Sequence, residues 1–225
     1  MSRHALVTGV SSGIGQAIAE TLLSKGWKVT GLSRTKVEHL NPYFVSHSVD
    51  LFDTNSLVNC LEQLPQIDAV IHAAGKMVAA PLGDLNIDES RTIWHLHVGV
   101  AEILANHFAD KLGDGGRIVV IGSRTSKGVA GRSQYVATKS ALFGMVRSWA
   151  AELAPKGVTA NIIAPGATET PMLLNPNRQS SPPKLPPIGR YISPYEVAEY
   201  VNFILSPHAA AITGQELVIC GGASL

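Results

Sequence analysis

Cysteine is nearly absent from this chain. Cys60 and Cys220 are the only two among 225 residues, and neither lies in a C-x-x-C pair. They offer no disulfide framework and no zinc site, so cytoplasmic residence is the expectation. Charge is scarce as well: Asp, Glu, Lys and Arg make up 16% of residues, and the formal net charge is +1. This argues against a disordered chain or a coiled coil, and it gives no general pull toward nucleic acid or an anionic membrane. Long apolar runs are missing too. No stretch approaches the ~18 uncharged apolar residues of a membrane span. Residues 1–9 lack the apolar core and small-residue cleavage chemistry of a secretory signal, so none is expected.

What is abundant is glycine, 21 residues, and apolar side chains, 45% of the total. The apolar residues fall into short runs separated by helix-like patterns. Ala5–Thr8, Trp27–Leu32, Ala69–His72, Arg117–Ile121, Val158–Ile163 and Glu216–Ile219 read as strands, with Ala69–His72 third in order. Helices are expected over Ile14–Lys25, with Gly26 ending the first. Others are expected along a Trp94/Val98/Ala101/Ala105 stripe, over Tyr135–Leu153 and over Pro194–Leu205. Continuously apolar strands alternating with helices imply a parallel sheet covered on both faces, an α/β class. No internal repeat or hydrophilic linker divides the chain, and the motifs run from Thr8 to Gly222, so residues 1–225 are expected to form a single domain. One segment is compositionally biased: prolines stand at 171, 176, 182, 183, 186 and 187. It reads either as a surface loop or as a substrate lid.

The first strand runs into Thr8-Gly9-Val10-Ser11-Ser12-Gly13-Ile14-Gly15. A glycine turn between strand and helix brings the backbone close to a pyrophosphate, and the helix N-terminus supplies N–H donors. At the end of the second strand an acid would bind a ribose 2′-hydroxyl. Here Ser33-Arg34 stands instead. Arginine suits a phosphate monoester by charge and fork geometry, which favours NADP(H) over NAD(H), unless Arg34 is only a solvated surface residue. Further on, Tyr135 and Lys139 lie four apart, on one helix face. An ammonium beside a phenol favours the phenolate and makes an acid/base suited to an alcohol or carbonyl. Ser123 ends the Arg117–Ile121 strand at the sheet edge where open α/β folds bind ligands, with Ser126 as the alternative.

Together these motifs resemble the short-chain dehydrogenase/reductase family, in particular its 3-oxoacyl carrier-protein reductases. The T-G-x-x-x-G-x-G spacing, Ala73-Ala74-Gly75, Ser123, Tyr135-x-x-x-Lys139, Pro165-Gly166-x-x-x-Thr170, Thr213-Gly214-Gln215 and Gly221-Gly222 follow the family pattern in order. The resemblance implies a doubly wound Rossmann domain and an NADP(H)-dependent oxidoreductase acting on CH–OH groups. Thr8, Gly9, Ser11, Ser12, Gly13, Ile14, Gly15, Ser33 and Arg34 would hold the nucleotide. Asp50-Leu51 would meet the adenine, unless Asp50 is a turn residue or N-cap. Ala73, Ala74, Gly75, Tyr135, Lys139, Pro165, Gly166, Thr168 and Thr170 would complete the cofactor site. Ser123, Tyr135 and Lys139 would carry the chemistry on a small carbonyl or alcohol substrate. Homo-oligomers, a tetramer or a dimer, are common in the family.

Four departures from the pattern stand out. The family's asparagine is replaced by Ala73, so a backbone-supporting hydrogen bond is expected to be missing. An aspartate is usual where Cys220 stands, and this cysteine reads as packing. Ser123 and Tyr135 are twelve residues apart, one fewer than is commonest in the family. The asparagine that holds a proton-relay water is replaced by His97, or by His95 if the alignment slips, and either would titrate near neutrality. These two histidines share no helix face and suggest no metal site. Only 16 positions separate Arg34 from Asp50, too few for a full crossover helix plus a long strand. Substrate choice is expected to rest on 171–190, with Met172, Leu173, Leu174 and Leu185 as apolar contacts. The altered Ala73 and His97 positions also motivate an alternative, an NADP(H)-binding sensor or scaffold with weak catalysis.

Overall fold

The computed structural model describes residues 2–175 and 182–225. Seven parallel strands form one sheet in the order β3-β2-β1-β4-β5-β6-β7. They are β1 (His4–Thr8), β2 (Lys28–Ser33), β3 (Phe44–Ser48), β4 (Ala69–His72), β5 (Arg117–Ile121), β6 (Thr159–Pro165) and β7 (Glu216–Ile219). The helices are α1 (Gly13–Ser24), α2 (Thr54–Glu62), α3 (Ile87–Trp94), α4 (Val100–Phe108), α5 (Ser133–Leu153) and α6 (Pro194–Leu205).

Successive residues of a strand point to opposite faces, and here both faces are buried. Ala5 and Val7 of β1 pack with α1 and α6, while Leu6 packs with the side of α2, α4 and α5. The same split divides Val119 and Ile121 from Ile118 and Val120 on β5. This is why the central strands read as unbroken apolar runs. Leu6, Ile71 and Ile162 are fully buried, and burying each such side chain stabilises the fold by ~1.5–3 kcal/mol. Local signals agree with the layers. At the start of α6 the Ser193 side chain and Glu196 form a reciprocal capping box, and Pro194 occupies the first turn.

One expectation is corrected and one is made specific. The strand read as third, Ala69–His72, is the fourth in chain order, because Phe44–Ser48 is also a strand and pairs parallel to β2. The region between Arg34 and Asp50 holds that strand and no helix: residues 34–43 cross from β2 to β3 without one. The shortening therefore costs the crossover helix and keeps the strand. As an edge strand with one face largely open, β3 mixes exposed Val45 with half-buried Ser46 and His47. That pattern lacks the apolar run that marked its neighbours.

The chain moves outward from β1 to β2 and β3, then returns to start β4 on the other side of β1. Open α/β sheets bind ligands at such a reversal, beyond the strands' C-terminal ends. Thr8 at the end of β1 pairs in register with His72 at the end of β4, which sets the glycine loop beside Ala73. Among the described residues no helix is long and apolar enough to cross a membrane.

Candidate active site

A cleft runs across this edge in two connected parts. The larger part, about 840 Å³, is lined by Gly9, Ser11, Ser12, Gly13, Ile14 and Gly15 on one side. Ser33, Arg34, Asp50, Leu51, Ala73, Ala74 and Gly75 line it further along. Glycine is required here by packing. A Cβ on Gly9 would lie 2.9 Å from the Ala74 backbone, in a left-handed conformation with φ +76°. A Cβ on Gly15 would lie 2.3 Å from the Gly9 carbonyl oxygen. The loop thus folds tightly onto β4, and α1 starts at the cleft. Its N-cap, Ser12, makes no side-chain cap hydrogen bond. Helix N-termini with uncapped amide groups receive phosphate oxygens well.

Arg34 is exposed at the far end of this part, and among the described residues its guanidinium makes no hydrogen bond or ion pair. Ser33 donates its hydroxyl to the Thr35 carbonyl at 2.6 Å, which shapes the turn that presents Arg34. Asp50 accepts from the Phe52 amide at 3.0 Å, and it is Asp53 that caps α2. The glycine walls, the uncapped helix start and the unpaired cation fit a dinucleotide bearing a phosphate on its adenosine end.

The smaller part, about 320 Å³, is lined by Ser123, Tyr135, Lys139 and His97, with Pro165, Gly166, Thr168 and Thr170 opposite. Ile14, Ala73, Gly75 and Thr170 border both parts. Ser123 caps the short helical turn after β5, accepting from the Thr125 amide at 3.2 Å, with its hydroxyl 2.9 Å from that of Thr125. Tyr135 and Lys139 both face the cavity from the first turns of α5, and both are buried. The Lys139 ammonium donates to the Ile121 carbonyl at 2.8 Å. Burial pushes its pKa down to about 7. A negative charge on Tyr135 would therefore favour the ammonium, and the ammonium would favour the phenolate.

The structure separates the two histidines. His97 is fully buried and lines the cavity; it lies in a π-helical turn, His95–Gly99, that joins α3 to α4. Such turns widen a helix by one residue and re-aim its side chains. The Lys76 amide donates to His97 Nε2 at 3.1 Å. That leaves Nδ1 to carry the proton and donate to Thr138 Oγ1 at 2.8 Å, while Thr138 donates to the Tyr135 carbonyl. Burial, then the positive charge of Lys139, drive the His97 pKa far below its ordinary value. Titration near neutrality, expected from the sequence, is thus corrected for this residue: a protonated ring would lose the Lys76 bond. His95 lies elsewhere, 3.0 Å from the Leu51 carbonyl and stacked on Phe52.

Ala73 has no side-chain group to hydrogen-bond, and its backbone is held from β1. Thr8 Oγ1 accepts from the amides of Ala73 and Ala74, each at 3.1 Å. With both acceptor sites used, Thr8 donates to His72 Nδ1 at 2.9 Å, and His72 Nε2 donates to the Leu96 carbonyl. Burial holds this histidine neutral, with its pKa down at about 3. Thr8 therefore stands behind the cleft wall, completely buried, and not in the wall. Ser126 also points away: it donates to Glu216 at 2.7 Å. Of the apolar loop contacts, Met172 and Leu173 line the cavity, whereas Leu174 and Leu185 are exposed and do not. The expected substrate segment falls partly outside the described residues. Cys220 packs, with Gly166 pressed against it and Ser224 at 3.1 Å. Sequence reasoning missed Thr125, Thr138 and His72. Thr138 lies inside the Tyr135–Lys139 motif, His72 ends a strand and Thr125 stands between Ser123 and Ser126, and none has a spacing signal of its own.

A family model described as enoyl-(acyl carrier protein) reductase matches residues 9–224. The chain belongs to the short-chain dehydrogenase/reductase family. A 3-oxoacyl-(acyl-carrier-protein) reductase FabG of Vibrio harveyi is 34% identical, covering 97% of this chain and 96% of the relative. A short-chain dehydrogenase/reductase mutant of Serratia marcescens superposes with a TM-score of 0.86 at 29% identity, over 99% of this chain and 98% of that one. A blue fluorescent protein from a metagenomic library, solved in complex with NADPH, superposes with a TM-score of 0.88 at 27% identity, over 99% and 98%. The seven-stranded sheet and its helices are the fold of these relatives, and the chain is an oxidoreductase of this family.

Proposed function

We propose that this oxidoreductase interconverts a carbonyl and a secondary alcohol with NADP(H), using Tyr135 as general acid and base. One observation carries the reading: Ser123, Tyr135 and Lys139 line a cavity that opens directly into the glycine-walled cleft ending at Arg34. NADPH in a relative of the same fold supports the cofactor. When bound, the nicotinamide dinucleotide supplies the hydride for reduction of the carbonyl carbon, or accepts it in the reverse direction. The amides at the start of α1 hold phosphate, and Arg34 pairs with the adenosine phosphate. Thr168 and Thr170 border the nicotinamide end. Ser123 donates to the carbonyl oxygen and fixes the substrate. Tyr135 gives its proton to that oxygen, leaving a phenolate, and takes it back in the oxidation. Lys139 stabilises the phenolate from the same helix face. His97 acts as a positioning residue, tying the Lys76 backbone to Thr138 and so to the first turn of α5.

Oxidation of NADPH against a panel of ketones, diketones and 3-oxoacyl thioesters tests the reading. Turnover on part of the panel is expected. Tight NADPH binding with no turnover would favour the second reading, a sensor of the same fold. The family's relay asparagine is replaced by a His97 whose ring nitrogens are both engaged, by the Lys76 amide and Thr138, and this is the observation behind that alternative. We also propose a homotetramer or dimer, supported by exposed Trp94 and Phe143 on α3 and α5. A monomer in light scattering would contradict it.

A further inference from the structure

The smaller cavity is electrically one-sided. Lys76, Arg124, Arg132, Lys139 and Lys184 all line it, and among the described residues no Asp or Glu does. The chain as a whole holds 18 basic and 17 acidic residues, so the imbalance is local. Three of the five cations are already engaged: Lys76 pairs with Glu89 at 2.8 Å, Lys139 is bound to the Ile121 carbonyl, and Arg132 is not free either. Arg124 and Lys184 are different. Neither side chain makes a hydrogen bond or an ion pair among the described residues. Arg124 directly follows Ser123 in the half-buried turn after β5, and both residues line the same cavity. Lys184 faces the same space from the proline-rich side. An unpaired, half-buried guanidinium in a carboxylate-free cavity of about 320 Å³ is a ready partner for an anion. Val129, Met77 and Met172 add apolar wall that suits a short carbon chain.

We propose that the carbonyl substrate carries an anionic group, a carboxylate or a phosphate, a few bonds from its reacting carbon, and that Arg124 pairs with it, with Lys184 as a second cation on the opposite wall. This rests on the carbonyl reduction proposed above and names its substrate class. It also separates the substrate from neutral ketones, which would leave the guanidinium unpaired.

Matched pairs of substrates test it: 3-oxobutanoate against its methyl ester, and hydroxyacetone phosphate against hydroxyacetone. In at least one pair the anion is expected to win by about tenfold or more in kcat/KM. The winning pair shows whether carboxylate or phosphate is the group recognised. In Arg124→Gln that preference is expected to fall by about tenfold, and in Arg124→Lys to be kept in part. Lys184→Gln gives a smaller fall and guards against a folding defect at Arg124. A second readout does not depend on turnover. With NADPH present, 3-hydroxybutanoate or glycerol 3-phosphate is expected to raise the melting temperature of the wild type more than that of Arg124→Gln. Preference for the neutral members, or a preference unchanged in both glutamine variants, would overturn the proposal. If no carbonyl is reduced at all, the proposed reaction fails, and the melting shifts alone decide whether the anion site exists.

Discussion

At the Gly9–Gly15 end of the cleft the wall is mostly main chain. Gly9 sits against the Ala74 backbone, Gly15 against the Gly9 carbonyl, and Thr8 fastens the Ala73 and Ala74 amides from behind. At the Ser123–Tyr135 end the wall is side chains from three places in the chain: His97 in the π-helical turn, Ser123 after β5, and Tyr135 with Lys139 on α5. The difference teaches which errors each end tolerates. A backbone wall has no spare volume, so added atoms wreck it, yet it is chemically generic. A side-chain wall keeps its shape under conservative replacement but loses its chemistry.

The largest expected effect follows from the lack of volume. Gly15→Val pushes a branched side chain into the Gly9 carbonyl, 2.3 Å from where its Cβ would stand. NADPH binding and turnover are expected to disappear together, while circular dichroism checks that the sheet persists. Retained binding would show that the backbone wall has room to spare. Next comes the cation at the generic end. Arg34→Ala is expected to lower the preference for NADPH over NADH by about a hundredfold, in line with loss of a charge-assisted bidentate pair. A ratio that does not move would show that Arg34 is only a surface residue.

Lys139 gives a pH test of the other half. Its folded pKa lies at about 7, below the ordinary lysine value of 10.5. Between these values the unfolded chain binds the extra proton, so stability without cofactor is expected to rise with pH across that window. Below about pH 7 the lysine is charged in both states, and the full burial cost is present. Chemical denaturation from pH 7 to pH 10 should show the rise in the wild type and a flatter curve in Lys139→Met. Identical curves would mean that the buried ammonium is solvated. The smallest effect is expected for Ser126→Ala. This serine bonds Glu216 and not the cavity, so turnover should hold and stability should fall by about 1 kcal/mol or less.

The generic end was also the legible one. A glycine spacing, a strand before it and a helix after it are local in sequence, so the phosphate loop could be read from one short stretch. Buried strands such as β1 and β5 announced themselves as apolar runs. The edge strand β3 did not, because one of its faces stays open, and Phe44–Ser48 mixes polar with apolar residues. The absent crossover helix was readable as a length deficit, though not as a particular missing element. At the chemical end Ser123, Tyr135 and Lys139 were legible as types at a spacing. The protonation of His97 was not. It depends on the Lys76 amide and on burial, which the fold alone supplies. Thr8 was read as a ligand contact because it begins the motif; its three hydrogen bonds all turn inward.

The division between a backbone that grips and side chains that react is tested most directly by one variant, Tyr135→Phe, measured two ways. Calorimetric titration with NADPH reports the grip, and NADPH oxidation with the best carbonyl substrate reports the chemistry. An unchanged Kd within about twofold is expected, with a turnover lower by about 10³-fold, the range of a lost general acid. Turnover that survives the loss of the hydroxyl would contradict it.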